Sequence, residues 1–163
     1  MNLTRKQVKA WLDIISNDTS REVLTNVYID KYKDTIVAVA TDSYKLVALK
    51  TDLNPAMLGK YIKREDIVTW YKLATAKDRF TDDHLIAFSY DRKDDKPQYP
   101  KWPNLIPETT GQPSSVALNA TYLLSLQTLN SDQPLELKFT SDKIGPILAN
   151  SEIGTFLIMP IKK

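Results

Sequence analysis

TIVAVATDSYKLVALK, residues 35–50, contains two β-branched and aliphatic runs, TIVAVAT (35–41) and KLVALK (45–50), parted by a few polar residues around Asp42-Ser43-Tyr44. Runs of that length broken by an Asp-Ser turn former read as consecutive antiparallel strands. Upstream, VLTNVYID (23–30) and the polar link KYKD predict a hairpin into the same sheet. Asp42 is the one carboxylate between the two apolar runs. A catalytic carboxylate needs a partner that perturbs it, and none is near in sequence, so an Asx-type turn cap is the expected role.

Outward from this meander, Thr4 is placed to cap a helix over 4–16, with Val8, Trp11, Leu12 and Ile15 on its buried face. A second helix is expected over 64–76, burying Ile67, Trp70, Tyr71 and Ala74. HLIAFSY (84–90) is expected to be a strand, entered from an acidic turn at Asp82 and Asp83, and DRKDDK (91–96) a solvated turn. ETTGQPSS (108–115) reads as a polar, flexible linker. Beyond it, VAL (116–118) predicts a short strand and Asn119 the cap of a helix over 120–129 that buries Tyr122, Leu126 and Leu129. LELKF (135–139), IGPILA (144–149) and TFLIMPI (155–161) predict three more strands. Helix followed by three strands thus occurs twice, a repeat of supersecondary structure rather than of sequence. The fold class expected is α+β, antiparallel sheets with helices packed on one face.

The composition narrows the chemistry. Of 163 residues, 42% are hydrophobic and 26% charged, the balance of a globular chain. There is no cysteine, which excludes thiolate metal sites and a thiol nucleophile, and His84 is the sole histidine. The four glycines form no phosphate-cradling loop. These features argue against an enzyme and call for no cofactor or metal. MNLTRKQVKAWLDII lacks the apolar core of a leader, and no apolar run approaches the ~20 residues of a membrane span, so a cytoplasmic protein is expected. A formal charge of +2 is too small to imply nucleic acid by itself.

YPKWPNLIP (99–107) is unusual: stiff and extended because of Pro100, Pro103 and Pro107, yet rich in apolar surface. This segment and others resemble one family, the bacterial sliding clamps (the beta subunit of DNA polymerase III). ATDSYKLVAL (40–49) resembles the clamps' ATDGHRLA motif, with Gly-His-Arg replaced by Ser43-Tyr44-Lys45. YPKWPNLIP is similar to their FPDYxxLIP connector, with Trp102 at a tyrosine and Asn104 at an arginine. ALNATYLLSLQTL resembles their FNxxYLLDxL helix, Gly145-Pro146-Ile147 echoes SPV, and FLIMPIKK (156–163) is similar to the YVVMPMRL end.

The resemblance implies a clamp-like fold in which 1–107 match a shortened second clamp domain with its connector, and 108–163 a C-terminal half-domain, the two sharing one unit. In the family these segments converge on a hydrophobic pocket for a linear peptide motif. Carried over, its lining is Thr41, Ser43, Tyr44, Lys45 and Leu46; Pro100, Asn104 and Leu105; and Leu157, Ile158, Met159, Pro160 and Ile161. The implied partners are clamp-binding-motif proteins such as a DNA polymerase or clamp loader. Duplex DNA is a further one, faced by Arg5, Lys6, Lys9, Lys63, Arg64 and Lys72, although solvated helix surfaces account for those cations equally well. Two readings follow. One is a compact clamp acting as a processivity factor, a homo-oligomeric ring encoded by a phage or mobile element. The other is a non-encircling adaptor or decoy that recruits or competes for clamp-binding proteins of a host.

Overall fold

Residues 1–93, 98–106, 116–131, 133–140 and 145–161 are described by the structure, a computed structural model. The expected linker 108–115, Pro107 and residues 94–96 of the expected turn lie outside the described residues. β1 (Asn2–Thr4) runs into α1 (Arg5–Leu12) through a capping box: the Thr4 hydroxyl accepts from Gln7 N–H at 3.2 Å, and Gln7 Oε1 accepts from Thr4 N–H at 2.9 Å. The helix is shorter than the 4–16 expected. Two adjacent β-branched residues, Ile14 and Ile15, are followed by Ser16-Asn17-Asp18, where Ser16 Oγ accepts from Asp18 N–H, and both isoleucine N–H groups turn onto the Trp11 carbonyl. Ile14 and Ile15 remain buried in the core without helical geometry.

The hairpin also starts later than expected. Thr19–Thr25 form short 3-10 turns about a kink at Arg21, and β2 runs Asn26–Tyr32. β3 (Thr35–Thr41) and β4 (Lys45–Lys50) match the sequence reading, and Asp42 Oδ1 accepts from Tyr44 N–H at 2.9 Å and Lys45 N–H at 2.8 Å, the expected Asx turn. β5 (Tyr61–Lys63) leads into α2 (Arg64–Leu73), which ends three residues early, and β6 (Arg79–Thr81) pairs with β1.

HLIAFSY is not a strand. α3 (Asp82–Phe88) occupies most of it and only Ser89–Tyr90 form β7. Asp82 and Asp83, read as a turn, fill the first helical turn, where carboxylates are favoured. His84 closes a capping box with Thr81, and its Nε2 accepts from Trp70 Nε1–H at 3.0 Å. On the other side of the ring, Nδ1 lies 3.0 Å from both the Thr81 backbone nitrogen and Thr81 Oγ1, which holds the imidazole against the cap. VAL (116–118) is likewise no strand. α4 (Ala120–Leu129) begins behind its Asn119 cap as expected, and β8 (Glu136–Lys138), β9 (Ile147–Ser151) and β10 (Gly154–Ile158) follow.

Eight strands form one antiparallel sheet in the order β7-β5-β2-β3-β4-β10-β9-β8. Within it β2-β3-β4 is followed by β10-β9-β8, the order that a twofold axis between β4 and β10 would generate, with α1 and α4 packed side by side as its helices. The expected repeat is therefore built into the fold. β4 and β10 pair from Lys45↔Ile158 to Leu49↔Gly154 and join the two halves. Gly154 is required there: a Cβ on it would lie 2.3 Å from the Ala48 carbonyl oxygen.

Among the described residues the four α-helices cover one face of the sheet, over a core that includes Trp11, Phe80, Leu126 and Phe156. Gln7 Nε2, donating to the Leu129 carbonyl at 2.7 Å, ties α1 to the end of α4. The second face is covered by the proline-rich segment, whose aromatic residues point inward. Trp102 is fully buried, lies 5.1 Å from the Tyr32 ring, and donates Nε1–H to Asp30 Oδ2 at 2.8 Å. Tyr99 stacks on Tyr28 at 5.1 Å and donates its hydroxyl to the Val39 carbonyl at 3.2 Å. The segment is a strap fastened on both sides of Pro100. No helix among the described residues is long and apolar enough to cross a membrane.

Gly154→Ala is expected to destabilise the fold by about 1–3 kcal/mol, because backbone rather than a movable side chain meets the new methyl; urea unfolding with circular dichroism measures it. The strap also carries a pH dependence. Burial, reinforced by Tyr61, raises the Tyr99 phenol far above its ordinary value near 10. An unfolded chain ionises this tyrosine above about pH 10 while the folded chain holds it neutral, so the stability present below that pH is lost as pH climbs. Tyr99→Phe should flatten the alkaline loss seen in thermal melts between neutral pH and pH 11, and an unchanged alkaline slope would count against it.

Candidate functional site

At the end of the β4–β10 seam, on the strap's side of the sheet, the alternation of side chains leaves Leu46 opposite Leu157. These two form the floor of a cavity of about 200 Å³. Thr41, Ser43, Tyr44 and Lys45 line it from the β3–β4 connection, Pro100 and Leu105 from the strap, and Met159 from the residue after β10. Leu24 and Pro146 complete the wall. Leu105 is 52% exposed and Met159 40%, so the cavity opens to solvent between two aliphatic lips.

Backbone and side-chain bonds hold the mouth in place. Met159 N–H donates to the Tyr44 carbonyl at 2.9 Å, tying the chain beyond β10 to the β3–β4 turn. The Thr41 hydroxyl donates to the Lys45 carbonyl at 2.7 Å and accepts from Ser43 N–H at 3.1 Å. Ser43 has φ +79°, a left-handed conformation that costs a side chain about 1–2 kcal/mol, at the position where the clamp motif has glycine. Its Oγ accepts from Arg21 Nη1 at 2.7 Å. Arg21 in turn bonds Asp18, and the bonds from Ser20 and Arg21 hold the Asp18 carboxyl below the usual carboxylate range. Lys45 contributes its stem rather than a free charge: its Nζ donates to the Asp13 carbonyl at 2.8 Å, lies 3.1 Å from Asp42 Oδ2, and sits 4.9 Å from the Tyr122 ring centre. Tyr44 stacks against the same Tyr122 at 6.5 Å. The cavity is thus apolar in its depth, with Ser43 and Tyr44 beside the Leu105 and Met159 lips at its mouth, an arrangement suited to apolar side chains presented on a polar backbone.

Nine of the thirteen residues expected in the pocket come together here. Ile158 does not: it is fully buried on the helix side of the sheet, because successive strand residues face opposite ways. Asn104 is exposed on the 3-10 turn Trp102–Leu105 and stays out of the lining. Pro160 and Ile161 run past the cavity, and Ile161 N–H donates to the Ala117 carbonyl at 2.9 Å. Leu24 was not anticipated because its segment reads as the start of a strand. Pro146 lies within the Gly145-Pro146-Ile147 echo, the one sequence signal that pointed toward it.

The six cations expected to face DNA divide into two groups. Arg5, Lys6 and Lys9 line one groove of about 560 Å³ over α1, walled by Leu124, Ser125 and Thr128 of α4 and by Tyr71 and Ala76. Lys63, Arg64 and Lys72 lie outside its lining, and Lys63 Nζ rests 5.3 Å from the Tyr90 ring centre.

No protein-family model and no curated protein matches the sequence. Solved structures do. Caulobacter crescentus polymerase III beta superposes over all of this chain and 66% of its own length, with a TM-score of 0.70 and 14% identity. DNA polymerase III subunit beta from Borrelia burgdorferi matches over 99% of this chain and 64% of its own, with a TM-score of 0.69 and 14% identity. The beta chain from Streptococcus pneumoniae gives a TM-score of 0.63 at 18% identity, over all of this chain and 64% of its own. At such identities the fold is what is shared: this chain has the α+β fold of the bacterial DNA polymerase III beta sliding clamps, over just under two thirds of their length.

Proposed function

We propose that this protein is a sliding-clamp-like accessory factor of DNA replication that captures a linear hydrophobic motif of a polymerase or clamp loader. The observation that carries this reading is the convergence of three segments distant in sequence, at Leu46, Leu105 and Met159, on one open apolar cavity in a clamp fold. The cavity walls are fixed by the strap and by Met159–Tyr44, so an incoming peptide need not order them, which lowers the entropic cost of binding. Nothing in this role requires a catalytic group, and the activity proposed is binding.

A second reading, a non-encircling adaptor or competitor, is favoured by the sheet's edges. Among the described residues the edge strands are β7, of two residues, and β8, of three, and β8 carries Glu136 and Lys138 paired with each other at 3.3 Å. Short, charged edges resist pairing with another chain. Light scattering after size exclusion, with and without circular DNA, separates the two: a ring that co-elutes with the DNA supports a processivity factor, and a monomer that never does so supports the adaptor.

Leu105→Ala combined with Met159→Ala should weaken binding of a labelled clamp-motif peptide by about 2–4 kcal/mol in fluorescence anisotropy, with native circular dichroism, since both side chains are half exposed in the free protein. Ile158→Ala is the complementary case: it should lower the melting temperature and leave affinity unchanged. Undiminished peptide binding by the double variant would overturn the pocket.

A further inference from the structure

Lys45 belongs to the pocket wall but is itself buried, and its ammonium is engaged by groups from three separate elements. It donates to the carbonyl of Asp13, the residue that ends α1, at 2.8 Å. It lies 3.1 Å from Asp42 Oδ2 in the β3–β4 turn and 4.9 Å from the centre of the Tyr122 ring on α4. Two of these three partners bear on Tyr44. Asp42 Oδ1 accepts from Tyr44 N–H at 2.9 Å, and Tyr122 stacks on the Tyr44 ring with 28° between the planes. The Tyr44 carbonyl in turn accepts from Met159 N–H at 2.9 Å. Tyr44 is 58% exposed and Met159 is open as well, so packing on the cavity floor does not fix either side chain. We infer that Lys45 is the positioning residue of the pocket mouth: through Asp42 and Tyr122 its ammonium holds Tyr44 and the Met159 lip in the arrangement a partner peptide meets. This inference rests on the reading of the cavity as a peptide site.

Two other roles for this cation fit the geometry less well. A charge that recognises a carboxylate of the ligand has to be free to meet it. This one already has a carboxylate, a carbonyl and a ring face, and the residue is only 8% exposed. A residue that merely fills the core is cheapest when apolar, since an ammonium taken out of water needs partners to replace its hydration. Lys45 pairs with Ile158 across the seam and alternates with Val47, and both of those neighbours are aliphatic and fully buried in the helix-side core. A cation closing this apolar row is explained by the bonds it makes. They join the end of α1, the body of α4 and the β3–β4 turn at one point beside the pocket. A mouth ordered before binding spares the peptide the cost of immobilising Tyr44 and Met159, each worth roughly a severalfold change in affinity.

The test uses the full chain, the labelled clamp-motif peptide and amide hydrogen exchange followed by NMR. Lys45→Met removes the ammonium and keeps an unbranched apolar chain. It should weaken peptide binding about tenfold with native circular dichroism. The Tyr44 and Met159 amides should exchange faster, while those of Val47 and Phe156, inside the seam, keep their native rates. A merely structural loss would speed all four. Tyr122→Leu lies outside the pocket lining yet should weaken binding by a similar factor, and Tyr122→Phe, which keeps the ring, should bind as the native chain does. The Lys45→Met and Tyr122→Leu double variant should lose little more than either single one, because both remove the same support. Should Lys45→Met fail to fold, Tyr122→Leu and the Met159 exchange rate decide the matter. Native affinity in the variants, additive losses in the double variant, or exchange that rises evenly over the four amides would overturn the positioning role and leave the pocket standing. A native chain that binds no peptide would overturn the pocket reading, and the role of Lys45 with it.

Discussion

The antiparallel pairing of β4 with β10 is the constraint on which the rest of the molecule hangs. It closes two four-element units, each a helix and three strands, into one sheet, and so brings residues 45–49 and 154–158 side by side. With strand parity fixed by that register, Leu46 and Leu157 must share the strap's face while Val47, Phe156 and Ile158 enter the helix-side core. A single strand pair thus supplies the floor of the cavity on one face and the centre of the core on the other. The Gly154–Ala48 approach sets how closely the two units meet.

The strap turns that floor into a pocket. Pro103 sits in the first turn of the 3-10 segment Trp102–Leu105 rather than in extended chain, and Tyr99 and Trp102 anchor the strap by burying aromatic rings whose polar atoms each find an acceptor. Leu105, three residues beyond the buried Trp102, is left outside as a lip. The apolar content that makes this segment conspicuous in sequence therefore has two uses, attachment through the aromatics and an open wall through Pro100 and Leu105.

How much of this was legible in the sequence depended on whether the deciding forces were local. β3, β4 and α4 were readable because aliphatic runs, an Asx turn and an Asn cap specify them within a few residues. α3 was not, because seven residues give too little periodicity to separate helix from strand, and the Thr81–His84 cap is visible only once the hydrogen bonds are known. The pocket was legible through family-like motifs and not through physics alone, since nothing local tells that Leu46 and Met159 meet. Its one avoidable misplacement is Ile158: two-residue alternation already sets it opposite to Leu157 and Met159. Leu24 was out of reach because a kinked 3-10 segment has no pattern that says which way a leucine points.

Ser43 carries a consequence for how this sequence can change. Its left-handed backbone suits glycine, and a serine there is tolerable in part because Arg21 bonds its hydroxyl. The two residues are therefore coupled although 22 positions apart. Losing Arg21 first strands a strained serine at the pocket mouth, whereas moving to glycine first leaves Arg21 with Asp18 alone and relieves the strain. Substitution at these sites is directional: the order in which the two are replaced determines whether the chain passes through a destabilised intermediate.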